Sequence, residues 1–345
     1  SQLPPSAPSA SPQGQVMVVT GGSGFLGSHL VQLLLEAEPE LRELRILDLE
    51  PDAGAIPERH RSRVRLFRGD VTDLGALGAV LGGAQVVFHS ASLVDVWGRC
   101  SPEAIARVNV LGKLGQTGTG KPGGFGESPY PTRHSEPYPL SKAQAERLVL
   151  EANGSTVSGG SRLVTLSLRP TGIFGERHPL LELFYRRGRG LGGVVPRTLP
   201  PNAEHGRVYA GNVAWMHILA ARAARARPAS VGGEFFFCTD GSPCAPYEDF
   251  NLLLLGPAGL RFGGPRVPPA LLGLLARLNG ALRRILGVFG ARWAPLLNPY
   301  TWAVASTPFT VRSAKAERCL GYRPLFSWQE ARDRTVAWVR QLGGA

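Results

Sequence analysis

A tyrosine and a lysine that could move a proton lie four residues apart, at Tyr138 and Lys142. The surrounding pattern predicts a helix over residues 138–151, so both side chains project from one face of it. A phenol with a pKa of about 10 is a poor base at neutral pH, but a nearby ammonium favours the phenolate. The same spacing arises by chance in many chains, so the pair gains meaning from the motif that precedes it.

That motif is a glycine-rich turn, TGGSGFLG, between a predicted strand at 16–20 and a predicted helix at 29–36. Gly21 allows the tight turn, Gly24 lets backbone N–H groups reach a pyrophosphate, and Gly27 lets the helix pack closely on its strand. The spacing predicts a dinucleotide-binding site. The alternative is a glycine-rich turn in an α/β fold that binds no nucleotide.

Two acidic residues follow the turn at the ends of the next predicted strands. Asp48 comes about 20 residues later, where a carboxylate accepts the ribose hydroxyls and repels a 2′-phosphate, and no arginine directly follows it. NAD is therefore favoured over NADP. Asp70 could meet the adenine amine, or it could be a helix N-cap or turn acid. With NAD in place, Lys142 can bond the nicotinamide ribose while Tyr138 takes the proton of an alcohol that loses hydride.

Predicted strands and helices alternate along the first half of the chain. The strands fall at 16–20, 44–48, 64–67, 85–89 and 163–168, the last stopped by Pro170, and Asn212 caps a helix at 213–222. This alternation predicts an α/β fold with a doubly wound, Rossmann-like parallel sheet. We expect a disordered leader at 1–15, an NAD-binding domain at 16–170 and a substrate lobe at 171–345.

The amino-acid composition limits the classes of binding partner that we expect. The 345 residues carry a formal net charge of +12, which suggests an anionic surface such as a membrane or nucleic acid. The arginines are mostly dispersed and no nucleic-acid motif accompanies them, so nucleic acid is not expected. The four cysteines and seven histidines show no metal-ligand spacing, and no metal is expected either. The N-terminal residues lack the layout of a signal peptide.

An amphipathic helix is predicted near residue 280, within residues 268–292. Its polar face carries Gly273, Arg277, Gly280, Arg284 and Gly287. Because arginines interrupt the apolar run, it falls short of the ~20 apolar residues that span a bilayer, so we expect a helix lying in the membrane interface. The alternative is a core helix of the second lobe. The apolar face comprises Leu271, Leu274, Leu275, Leu278, Leu282, Ile285, Leu286 and Phe289.

The motifs TGGSGFLG, GDVTD, YPLSK and LRPTGIFGE occur in an order that resembles the extended short-chain dehydrogenases. The segments EHGRVYAGNVAWMH and DGSPCAPYEDF narrow the resemblance to the 3β-hydroxysteroid dehydrogenases, over residues 16 to about 340. The resemblance implies NAD-dependent oxidation of the 3β-hydroxyl of a Δ5 sterol to a 3-oxo-Δ4 steroid, in steroid or bile-acid biosynthesis at the endoplasmic reticulum membrane. It also suggests a homodimer.

The resemblance assigns pyrophosphate to Gly21, Gly24 and Gly27, ribose to Asp48, adenine to Asp70, and proton transfer to Tyr138 and Lys142. It breaks between Asn109 and Tyr138, where the family has a buried strand and a catalytic Ser or Thr. Here residues 113–135 are rich in glycine and proline, which a central strand excludes. In a sheet ordered 3-2-1-4-5-6 the lost strand lies beside the fourth. We therefore expect impaired activity, or alternatively a catalytically silent relative that binds dinucleotide or a partner protein.

Overall fold

The computed structural model describes residues 14–111, 136–291 and 293–343. Four strands of the first half pair in parallel in the order β3-β2-β1-β4, with helices between them. The Rossmann-like parallel sheet is therefore confirmed, and the predicted strand bounds agree to within three residues. The elements are β1 (Gln15–Thr20), α1 (Phe25–Ala37), β2 (Leu41–Asp48), β3 (Val64–Arg68), α2 (Leu74–Leu81) and β4 (Val86–His89).

The strands of the second half form separate parallel pairs, β5 with β9, β6 with β8 and β7 with β10. These strands are β5 (Leu166–Pro170), β6 (Gly172–Phe174), β7 (Val194–Val195), β8 (Arg207–Tyr209), β9 (Glu234–Cys238) and β10 (Arg261–Phe262). The helices are α3 (Pro102–Ala106), with a π-helical continuation at Arg107–Leu111, α4 (Pro137–Glu151), α5 (Pro179–Gly190), α6 (Ala210–Ala226), α7 (Pro228–Val231), α8 (Tyr247–Leu255), α9 (Pro269–Val288), α10 (Pro299–Ser306), α11 (Ala314–Leu320) and α12 (Trp328–Gln341).

The sheet stops at β4 within the described residues. There β4 pairs only with β1, and β5 pairs only with β9. Val87 of β4 is 39% exposed, although the corresponding position of a complete sheet would be covered. The predicted order therefore holds for strands 3-2-1-4. The prediction that residues 113–135 replace a central strand falls on a segment outside the described residues.

Two predicted boundaries beyond residue 160 are wrong. The strand predicted at 163–168 begins at Leu166 and includes Pro170, which pairs with Cys238 at the strand end, where a missing N–H costs least. Asn212 does not cap the helix, because α6 already begins at Ala210. Its amide instead donates to Asp240 Oδ2 at 2.8 Å and to the Phe326 carbonyl at 2.9 Å. Asn212 therefore ties α6 to two distant parts of the chain.

One hydrophobic core extends across residue 170. Leu30 and Leu34 of α1 and Ile46 of β2 belong to the same buried cluster as Phe174 and Phe250. Phe174 contacts Phe250 with ring centres 5.0 Å apart. The boundary predicted near 170 stays a prediction, and the two halves of the chain stabilise each other through this core.

Helix α9 leaves its apolar stripe uncovered. Only Leu272 and Ala276 of this helix are buried, and its glycine side packs against α10, where a Cβ on Gly280 would lie 2.8 Å from Pro299. The alternative of a core helix is therefore wrong for this stripe. No helix in the described part of the chain is long and apolar enough to cross a bilayer. The exposed side chains are Leu271, Leu274, Leu275, Leu278, Leu282, Ile285, Val288 and Phe289.

Candidate active site

The glycine-rich turn between β1 and α1 is as tight as its sequence predicts. Gly21 has a φ of +69°, and a Cβ there would lie 2.7 Å from the backbone of Ala91. A Cβ on Gly27 would lie 1.9 Å from the carbonyl oxygen of Gly21, closer than any side chain allows. The turn therefore requires glycine at both positions, for conformation at Gly21 and for close approach at Gly27.

The N-terminus of α1 is open to an anion. Gly24 precedes the helix and offers no side chain to cap it, and the first turn contains no acidic residue. The first N–H groups of a helix have no acceptors within the helix, and its dipole adds positive potential there. This arrangement fits a pyrophosphate, as the spacing of Gly21, Gly24 and Gly27 predicts.

The two acidic residues lie in different settings. Asp48 ends β2, and its carboxylate accepts a hydrogen bond of 3.0 Å from the N–H of Ser23, inside the glycine-rich turn. Asp48 is thus fixed beside the turn, where a ribose would lie. Asp70 accepts from the N–H of Thr72 at 2.9 Å, and Asp73 caps α2 instead. Asp70 is therefore a turn acid in this structure, and its contact with adenine stays a prediction.

Replacing Asp48 with alanine should narrow the preference for NADH over NADPH, because the change removes both a hydroxyl acceptor and a charge that repels a 2′-phosphate. Glu50→Ala is the matched control, since it removes an exposed carboxylate two residues away. Titration of both cofactors against each purified variant measures the effect. Tighter binding of NADPH than NADH by the unaltered protein would contradict the role of Asp48.

A buried amide connects the glycine-rich turn to the helix that carries Tyr138. Asn109 accepts from the Leu93 N–H at 2.8 Å, just beyond the Ala91 backbone that contacts Gly21. Its Nδ2 donates to Ser141 Oγ at 3.0 Å, and that hydroxyl donates to the Tyr138 carbonyl at 2.7 Å. Asn109 and Ser141 were not predicted as site residues, because only the fold brings them together. They position α4 beside the nucleotide turn.

Tyr138 and Lys142 share one face of α4, with the Lys142 ammonium 5.8 Å from the centre of the Tyr138 ring. Burial and the neighbouring Tyr300 raise the pKa of the Tyr138 phenol to about 12. The expectation that the Lys142 ammonium favours the phenolate stays a prediction, because burial and Tyr300 are the causes that raise this pKa. Tyr138 is a protonated phenol here, and a further positive charge is needed to make it a base.

A small cavity lies between the start of α4 and helix α9. Asp95, Cys100, Glu136, Arg283 and Tyr300 are among its lining residues. The Asp95 carboxylate accepts from the N–H groups of residues 97, 98 and 100, which lowers its pKa although burial opposes this. The Arg283 guanidinium occupies the space beside residue 98, where a Cβ would lie 2.1 Å from it. The uncovered helix α9 is thus in contact with the loop next to the Tyr138 helix.

A nucleotide-binding turn, an acid at the end of β2 and a Tyr/Lys pair on one helix face define a dinucleotide-dependent enzyme of the short-chain dehydrogenase type. Solved structures with this fold include the UDP-glucose 4-epimerase of Thermus thermophilus in complex with NAD. It has a TM-score of 0.62 and 22% identity, over 94% of this chain and 99% of that one. The dTDP-glucose 4,6-dehydratase of Streptomyces venezuelae, also with NAD, has a TM-score of 0.66 and 22% identity, over 95% and 98%.

The chain belongs to the 3-beta hydroxysteroid dehydrogenase/isomerase family, whose pattern matches residues 18–115 and 123–268. It is 49% identical to the 3 beta-hydroxysteroid dehydrogenase type 7 of Homo sapiens, over 98% of this chain and 99% of that protein. It is 35% identical to the 3 beta-hydroxysteroid dehydrogenase/Delta 5-->4-isomerase of Vaccinia virus (strain Ankara), over 94% and 99%. The family resemblance is confirmed, and NAD as cofactor is confirmed for this family and fold.

Proposed function

We propose that this chain oxidises the 3β-hydroxyl of a Δ5 sterol with NAD and yields the 3-oxo-Δ4 steroid, in steroid or bile-acid biosynthesis. The observation that carries the proposal is the Tyr138/Lys142 pair, held beside the nucleotide turn through Asn109. The similarity to the human type 7 and viral 3β-hydroxysteroid dehydrogenases supports the choice of a steroid. The homodimer suggested by the family resemblance stays a prediction.

Tyr138 and Lys142 have different roles in the proposed reaction. NAD, when bound, accepts the hydride that leaves C3 of the sterol. As the C3–H bond breaks and the carbonyl forms, the phenolate of Tyr138 takes the proton of the 3β-hydroxyl. Lys142 would hold the nicotinamide ribose and add positive charge near the phenol. The positive charge of oxidised NAD also favours the phenolate, which offsets the burial that raises the pKa of Tyr138.

We also propose that turnover is slow in this chain. The family pattern is interrupted between residues 115 and 123, and the alignment with the human relative spans 369 positions although the chain has only 345 residues. At least 24 positions of that alignment therefore have no counterpart here. The interruption lies where the family resemblance places a strand and a catalytic Ser or Thr. Loss of one oriented hydrogen-bond partner costs at least about 100-fold in rate.

The function is tested by incubating the purified chain with NAD and a 3β-hydroxy-Δ5 sterol and identifying the product by mass spectrometry and by the ultraviolet absorbance of the conjugated enone. Slow formation of both NADH and the 3-oxo-Δ4 steroid is expected. The alternative, a silent relative, predicts binding of NADH with no product even at high enzyme concentration. The interrupted segment is the observation that favours this alternative.

The exposed stripe on α9 supports a second proposal, that the chain lies on the endoplasmic reticulum membrane and takes its sterol from the lipid. Leu274, Leu278 and Ile285 are each more than half exposed, and Arg277 and Arg284 on the same helix are also exposed. Apolar side chains of such a helix enter the acyl boundary while arginines meet anionic headgroups. Its contact with the loop beside Tyr138 would bring the sterol entrance close to the membrane.

The variant Leu274→Asp/Leu278→Asp should lower the fraction of protein that sediments with phosphatidylserine-containing vesicles by about tenfold or more, because two leucines no longer enter the membrane. Leu49→Asp/Leu191→Asp is the matched control, since both leucines are exposed outside α9. Salt should release part of the bound protein by screening the arginines. Equal sedimentation of both variants and the unaltered protein would rule out attachment through α9.

A further inference from the structure

A buried arginine in the second half of the chain has no counterion among the residues that the structure describes. Arg207 of β8 is 6% exposed, and its Nε and Nη2 atoms have no hydrogen-bond partner among residues 14–111, 136–291 and 293–343. In the described part of the chain no carboxylate forms an ion pair with it. Its guanidinium stacks 3.9 Å from the centre of the Tyr247 ring and 4.9 Å from that of Phe250. Within the described part of the chain, the charge therefore meets two aromatic faces and no anion.

The acids near this part of the fold are already engaged. Glu248 of α8 accepts from the N–H groups of Thr198 and Leu199, and Asp240 accepts from the Tyr209 N–H at 2.8 Å. Burial lowers the pKa of Arg207 to about 10, so it still carries its charge at neutral pH. A buried cation with unused N–H groups is costly, and proteins that keep one generally pair it with an anion.

The histidines beside Arg207 add no second charge. Burial lowers the pKa of His178 to about 4, and burial also lowers that of His205, with Arg207 acting in the same direction on both. Both imidazoles are therefore neutral at pH 7. Gly172, paired with Arg207 across β6 and β8, leaves room for the guanidinium, since a Cβ there would lie 2.6 Å from its Nη1. The two histidines therefore leave Arg207 as the positive charge of this site.

Arg207 is linked to the proton-transfer residue through a line of phenols. Tyr300 raises the pKa of Tyr138, and Tyr247 raises that of Tyr300, so these phenols are electrostatic neighbours. Tyr247 in turn stacks on Arg207. The line runs from α4 through α10 to α8, along the side of the chain that we assign to the substrate. Arg207 thus lies at the far end of this line from Tyr138.

We propose that Arg207 binds an oxyanion of the substrate, a carboxylate on the part of the sterol remote from its 3β-hydroxyl. This proposal rests on the proposed function for the nature of the substrate. The buried Nε and Nη2 atoms, which have no partner among the described residues, are the two parallel donors with which a guanidinium binds a carboxylate. Binding of such a group completes the hydrogen bonds of Arg207 and gives its charge a partner.

The test compares two ligands that differ in one charge, a 3β-hydroxy-Δ5 sterol with a side-chain carboxylate and its methyl ester. Their dissociation constants are measured by equilibrium dialysis on the full chain saturated with NADH, which prevents turnover. The acid should bind about tenfold or more tightly than the ester, as expected for a charge-assisted hydrogen bond. Arg207→Met should bind both ligands like the ester, and Arg207→Lys should keep part of the preference.

Thermal unfolding provides a second readout. Without ligand, Arg207→Met should melt at the same temperature as the unaltered protein or higher, because an unpaired buried charge is replaced by an apolar chain of similar length. The acid should raise the melting temperature of the unaltered protein and not that of Arg207→Met. Inorganic phosphate should have no such effect at the same concentration. An equal effect of phosphate would mean a site for a free ion and would overturn the assignment to the substrate.

Equal affinity for acid and ester in the unaltered protein would overturn the proposal, as would a preference that survives in Arg207→Met. Loss of the fold in Arg207→Met, together with equal affinity of Arg207→Lys for the acid and the ester, would make Arg207 structural. Preference for the acid without turnover would support the anion site while contradicting the proposed oxidation. Binding of neither sterol would refute the substrate class and this proposal with it.

Discussion

Replacing Gly27 with alanine should abolish NADH binding, with a loss of affinity of at least about 100-fold. The added Cβ would lie 1.9 Å from the carbonyl oxygen of Gly21, so either the turn or the start of α1 must shift. Such a shift misdirects the N–H groups that hold the pyrophosphate. Isothermal titration of NADH, together with circular dichroism to check that the variant is folded, measures the loss.

Gly78→Ala is the matched control for this substitution. Gly78 lies inside α2, and a Cβ there would meet nothing within 4 Å. Because alanine favours helix over glycine, this variant should bind NADH normally and be slightly more stable. Normal NADH binding by a folded Gly27→Ala variant would show that the close approach of Gly27 to Gly21 is not needed, and would contradict the site.

Tyr138→Phe should reduce sterol oxidation by about 100-fold or more and leave NADH binding unchanged. The substitution keeps the ring on α4 and removes the hydroxyl that takes the alcohol proton. Since burial raises the pKa of this phenol to about 12, the unaltered protein should oxidise the sterol faster as the pH rises towards alkaline values. The variant should lose this pH dependence together with the rate.

The comparison for Tyr138→Phe is Tyr185→Phe, which removes a buried phenol from α5, outside the site. This control should oxidise the sterol at the rate of the unaltered protein. A Tyr138→Phe variant that is as active as the control would place the proton acceptor elsewhere. Rates are measured by NADH fluorescence at several pH values with the sterol at saturation.

The first half of the fold could be predicted because its determinants lie close together in the sequence. The turn at Gly21, Gly24 and Gly27 and the buried strand before it are local patterns, and the strand order of the first sheet follows from them. Asp48 was also predictable, since it ends the strand that lies beside this turn. The structure added the hydrogen bond from Ser23 that fixes it.

The second half of the fold and the surroundings of Tyr138 could not be predicted in the same way, because their contacts join residues that are distant in the sequence. Asn212 resembled a helix cap, yet its partners Asp240 and Phe326 lie 28 and 114 residues away. The pKa of Tyr138 depends on burial and on Tyr300, which a Tyr/Lys spacing does not reveal. Arg207 lies in a motif that supported the family resemblance, but only the folded chain shows that its guanidinium has no counterion among the described residues.

Under the proposed function, this chain moves a hydride from C3 of a 3β-hydroxy-Δ5 sterol to NAD with Tyr138 as the proton acceptor. The most direct measurement uses a sterol deuterated at C3 and follows the label by mass spectrometry. We expect one deuterium in the NADH formed for each 3-oxo steroid that the unaltered chain produces, and neither product from Tyr138→Phe above about one hundredth of that rate. A 3-oxo steroid formed without deuterium in NADH, or labelled NADH formed equally fast by Tyr138→Phe, would contradict it.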